Sequence, residues 1–159
     1  MAMRFRGVLV LMFALVSLPA LAANDVCIDP RTGRIDQQAT AAWKGFEANA
    51  SREAMGALAG TWYGEIQSPA TGQVDFRYHI FEPNGLFQYQ SRVCSRDGLC
   101  SDFQGHGFWA SQMGQGGIIA TMSIISDLSH SNVCSLSQAR FINATTLIDA
   151  NNIRWSKVR

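Results

Sequence analysis

The chain has 159 residues, with 13 Lys+Arg against 12 Asp+Glu and 16% charged residues in all. This near-neutral balance argues against a partner such as nucleic acid or an anionic membrane, which needs concentrated basic charge. The length suffices for one domain with its own core.

The N-terminus reads as a secretory signal peptide over residues 1–22. Arg4 and Arg6 form its basic head, Gly7 to Leu18 its apolar run, and Ala20-Leu21-Ala22 a small-residue cleavage site. The run is too short to span a bilayer comfortably. Cleavage leaves 11 basic and 12 acidic residues, a net charge of −1, and no second run of membrane length, so a soluble periplasmic or secreted product is expected. Cys27 follows Asn24-Asp25-Val26, which is not a lipidation box.

Residues 23–59 form an N-terminal arm and helical segment. Asp29-Pro30 and Thr32-Gly33 mark a turn. Asp36 can cap a helix in which Ala39, Trp43, Phe46 and Ala50 recur at helical spacing. Ser51 can restart or continue it through R-E-A-M-G-A-L, and Gly60 ends it.

From Gly60 the pattern switches to period-two alternation, so residues 60–159 are expected to form a β-domain. Strands are predicted near 60–67, 73–81, 86–94, 99–110, 117–125, 135–142, 145–149 and 153–158. Eight short strands with short connections close most economically into an all-β, up-and-down antiparallel barrel. Charge pairing suggests the registers. A four-residue turn at Glu82-Pro83-Asn84-Gly85 would pair Phe81 with Leu86, Tyr78 with Tyr89 and Asp75 with Arg92. Glu65 opposite Arg77 would set Gly64 beside Tyr78. In the next hairpin Cys94 faces Cys100, Arg92 faces Asp102, and Tyr89 and Phe87 face Gly105 and Gly107, the pairing of aromatics with strand glycines. The inner face would then carry Trp62, Phe76, Tyr78, Phe87, Tyr89, Phe103 and Trp109. His79 and His106 would lie on the polar outer face. Ile118-Ile119 and Ile124-Ile125 serve either face.

The four cysteines, all in the exported part, allow three connectivities. The hairpin register favours Cys94–Cys100, which leaves Cys27–Cys134 to tie the arm to the barrel.

Three motifs carry a family resemblance: Leu58-Ala59-Gly60-Thr61-Trp62, Phe81-Glu82-Pro83-Asn84-Gly85-Leu86-Phe87, and Gly107-Phe108-Trp109. Over residues 56–158 the chain resembles the lipocalins and the wider calycin group, the bacterial lipocalin-like domains above all. The resemblance implies a barrel with a basic side chain packed on the first tryptophan, a role it would give to Arg154. The long N-terminal helix and the lack of a helix after the last strand depart from the family.

Catalytic machinery is not visible. His79 and His106 lack a third ligand for a metal. Ser129-His130-Ser131 has no placed acid or oxyanion hole. The inner face holds no carboxylate pair, and Q-M-G-Q-G-G lacks the lysine of a phosphate loop. Asn49 and Asn143 open glycosylation sequons that a bacterial product leaves unmodified. The expected protein is therefore not an enzyme and uses no cofactor or metal. Its aromatic face either fills the interior or lines a cavity, and composition alone leans to filling. The seven aromatics are the candidate ligand-binding residues, for a small apolar or amphipathic molecule. The alternative is a protein-binding module, an inhibitor or assembly factor, acting through Asp127–Val133 or through Gln112–Gly117 with Met113 at its tip.

Overall fold

The structure, a computed structural model, describes residues 26–127 and 132–158. The expected signal peptide and the centre of the Asp127–Val133 loop, with His130, lie outside the described residues. Eight strands form a closed antiparallel barrel in sequential order. They are β1 (Gly60–Gln67), β2 (Val74–Phe81), β3 (Leu86–Cys94), β4 (Cys100–Met113), β5 (Ile118–Asp127), β6 (Val133–Asn143), β7 (Thr146–Asp149) and β8 (Arg154–Lys157). β8 returns to pair with β1, Gly64 opposite Trp155. No described helix is long and apolar enough to cross a membrane.

Two helices precede the barrel. In α1 (Gln37–Ala48) the Asp36 carboxylate accepts from the Ala39 N–H at 2.9 Å. In α2 (Arg52–Leu58) the Ser51 hydroxyl accepts from the Ala54 N–H at 3.2 Å. Each side chain satisfies one of the donors that a helix start leaves unpaired. The helices do different work. α1 lies on the outside of the wall, where Trp43 is buried with Ala110, Met122 and Ile124. That cover explains why neighbouring isoleucines occur in β5: Ile124 faces the helix, and Ile125 faces the interior. α2 closes one end of the barrel, burying Ala54 and Leu58 against Trp62, Phe87, Trp109, Ile119, Leu147 and Trp155.

Both disulfides form as expected, Cys94–Cys100 at the end of the β3–β4 hairpin and Cys27–Cys134 from the arm to β6. The arm folds back on itself through an Ile28–Ile35 bridge, and the Ile28 N–H donates to the Asn132 carbonyl.

The β3–β4 register is the expected one: Arg92 opposite Asp102, Tyr89 opposite Gly105, Phe87 opposite Gly107. The β2 registers differ from expectation by one residue on each side. Phe81 pairs with Phe87, not Leu86, and Tyr78 with Gln90, not Tyr89. Likewise Trp62 pairs with His79, and Glu65 with Phe76 rather than Arg77. The cause of the β2–β3 shift is the turn. The Glu82 N–H donates to the Leu86 carbonyl, and Gly85 adopts φ 87°. Glu82–Leu86 is thus a tight turn followed by a left-handed glycine, which inserts one residue more than a plain four-residue turn. Trp109 of β4 secures it: its backbone N–H donates to the Gly85 carbonyl at 2.9 Å and its indole N–H to the Glu82 carbonyl at 3.0 Å. Because side chains alternate with a period of two, that single residue turns every β2 side chain to the opposite face. Asp75, Arg77, His79 and Phe81 point inward, and Val74, Phe76, Tyr78 and Ile80 point outward.

Candidate functional site

The barrel interior is neither filled nor wholly apolar. Above the core closed by α2 lies a cavity of about 530 Å³, within the range of small-molecule sites. One wall is aromatic, with Phe81, Phe87, Tyr89 and Phe103. The facing wall carries hydroxyls from two cross-strand pairs, Thr121 with Ser137 and Ser123 with Ser135. Ile125, Val93, Val133 and Pro30 of the arm complete the lining.

β2 contributes three ionisable side chains to this lining. Asp75 accepts from Arg77 Nε at 2.6 Å and from the Ser91 hydroxyl at 2.5 Å. The Asp75 side chain is 13% exposed and that of Arg77 42%, so the guanidinium reaches toward open space while its charge is balanced. His79 stacks on Trp155 with ring centroids 4.4 Å apart and meets Phe87 edge-on at 5.5 Å. Burial, reinforced by the charge of Arg77, lowers its pKa to about 4, against weaker opposite pulls from Asp149 and Asp75. The imidazole is therefore neutral near pH 7. Asp149 is fully engaged: one oxygen accepts from the Trp155 indole at 3.0 Å, and the other from the Asn151 and Ile153 N–H groups.

The seven expected ligand-binding residues divide into three groups. Tyr89 and Phe103 line the cavity, as does Phe87, which also belongs to the core. Trp62 and Trp109 are sealed in the closed end. The Trp62 indole donates to the Leu58 carbonyl at 2.7 Å, and its ring lies under Lys157 at 5.4 Å. Lys157 thus takes the position that the resemblance implied for Arg154, which is exposed. Phe76 and Tyr78 stand outside the barrel, a correction that follows from the turn at Gly85. With Tyr63, Gln90, Arg92, Asp102 and Gln104 they line an outer concavity of about 870 Å³. It is larger than the lumen cavity, shares Tyr89, Ser91 and Phe103 with it, and is flanked by the exposed Arg92–Asp102 pair.

The space beside Gly64 is taken by the Trp155 ring, not by Tyr78: a Cβ at Gly64 would stand 2.7 Å from that ring. The residues that sequence reasoning missed are Asp75, Arg77, His79, Thr121, Ser123, Ser135 and Ser137. A signal for the last four was present in T-M-S and S-L-S, polar residues two apart in strands whose alternate positions are apolar. Among the described residues no group of three or more His, Cys, Asp or Glu side chains is placed to hold a metal ion.

Compared with models of known protein families, with curated proteins and with solved structures, the chain has no match.

Proposed function

We propose that this is an exported, lipocalin-like protein that binds a small amphipathic molecule in the barrel lumen. One observation carries the reading: a cavity of about 530 Å³ with an aromatic wall facing a hydroxyl wall. Apolar rings supply most of the binding free energy of such a site, and a few convergent polar groups fix orientation. A wholly apolar ligand would displace water from the hydroxyls of the buried Ser123 and the exposed Ser135 and leave them without hydrogen-bond partners, which is costly. Export fits the signal-like N-terminus and two disulfides, which persist in oxidising compartments.

Titration with dodecanol, followed by tryptophan fluorescence, tests the reading. Trp155 stacks on the cavity-lining His79, so a saturable change is expected. Ser135→Trp, which fills the lumen, should abolish it. A second reading, docking of a protein partner, draws on the exposed Met113 and Ile118 beside the glycine-rich turn Gly114–Gly117. It predicts binding that survives Ser135→Trp and is lost in Met113→Asp.

A further inference from the structure

Among the described residues His79 is the one ionisable side chain of the cavity lining that has no hydrogen-bond or ion-pair partner. Among the described residues neither ring nitrogen has a hydrogen-bond partner, yet neither is sealed from open space, since the sole buried and unpaired side-chain nitrogen or oxygen is Trp43 Nε1. The ring is held in orientation by Trp155 on one face and by the edges of Phe81 and Phe87. A histidine fixed this firmly with its polar atoms left over is a preorganised contact for something that enters the lumen.

The surrounding charges select the chemistry of that contact. Asp75 and Arg77 neutralise each other, and Asp149 is occupied by the Trp155 indole and two backbone donors. Among the described residues no unbalanced charge in the lumen remains to offset the desolvation of an ionic head group. A neutral imidazole offers one donor and one acceptor, and an alcohol hydroxyl matches both. The hydroxyls of Thr121 and Ser137 border the same deep end of the cavity, where they can complete the head group's hydrogen bonds.

We propose that the lumen takes an alcohol-bearing amphiphile head-first, and that His79 is the specificity-determining residue that receives its uncharged hydroxyl, with the apolar tail directed toward Val93, Ile125 and Val133. This rests on the lumen reading above and adds to it the head group and the orientation.

Calorimetric titration of the intact protein with dodecanol, dodecanoate and dodecylamine tests the assignment. Dodecanol should bind at least about tenfold more tightly than either charged analogue, the scale of one charge buried without a partner. His79→Phe, which keeps the aromatic packing, should weaken dodecanol about tenfold, the value of a buried hydrogen bond to a ligand. His79→Gln, which keeps a donor and an acceptor, should stay within about threefold of the parent. Equal affinities for the three head groups, all lost in Ser135→Trp, would overturn the role of His79 and leave lumen binding standing. Tighter binding of dodecanoate would overturn the uncharged head group in the same way. No binding of any of the three would remove the lumen reading itself. The head-group comparison needs no variant, so it decides the matter even where His79→Phe fails to fold.

Discussion

At the scale of single residues, His79 ties stability to pH with a definite sign. Its folded pKa lies near 4 and its ordinary value is 6.5. Between those values the unfolded chain takes up a proton that the folded chain refuses. Stability should therefore fall as pH drops from about 6.5 to about 4, by on the order of 3 kcal/mol from this group, and the loss should level off below. Urea unfolding at a series of pH values in His79→Phe should lack that component of the slope. Arg77, Asp75 and Asp149, the charged groups that act on His79, remain in the variant, so the difference isolates the imidazole. Two glycines make an opposed pair of predictions. A Cβ at Gly107 would collide with the backbone carbonyl of Ile124, which cannot swing away, so Gly107→Ala should cost roughly 1–3 kcal/mol or more. Gly45, in the interior of α1, has nothing within 4 Å, and Gly45→Ala should stabilise by roughly 0.5–1 kcal/mol. The urea midpoints should move in opposite directions.

At the scale of elements, the turns decide which side chains meet in the lumen. E-P-N-G-L, S-R-D-G-L and D-A-N-N-I are the same device. In each, the first residue's N–H donates to the fifth residue's carbonyl, and the fourth residue is left-handed: Gly85, Gly98 and Asn152. The β3–β4 register was legible because Cys94 and Cys100 flank the second of these turns. Applied to the first turn, the same spacing pairs Phe81 with Phe87 and turns β2 over. What concealed this was hydrophobicity. Val74, Phe76, Tyr78 and Ile80 form the better apolar stripe, and burial alone would put them inside. They are instead outer-wall residues, and Tyr78 is 40% exposed against Tyr63. The lumen's own stripe, with Asp75, Arg77 and His79, is recognisable only once the turn is read correctly, which is why the candidate site was half legible. The two disulfides differ in what they constrain. Cys27–Cys134 spans 107 residues and Cys94–Cys100 only 6. In the chain-entropy account, replacing the first pair by alanine should cost about 5 kcal/mol and the second about 2 kcal/mol, read from denaturant midpoints under non-reducing conditions.

At the scale of the whole molecule, the barrel is a container with one end shut. α2 and the tryptophans Trp62, Trp109 and Trp155 form the floor, while the arm, with Pro30 on the cavity, is tethered by Cys27–Cys134. The closed eight-stranded architecture was legible from strand count and turn spacing, since a meander of short strands has few other ways to remove its edges. The character of the interior was not, because an aromatic face reads the same whether it fills a core or borders a space. The outer concavity at Phe76 and Tyr78 is the physical competitor for any amphiphile. Intermolecular NOEs between dodecanol and the isotope-labelled protein separate the two directly. Binding in the lumen predicts contacts to Thr121, Ser123, Ser135, Ser137 and Ile125, whereas contacts confined to Tyr63, Phe76 and Tyr78 would contradict it.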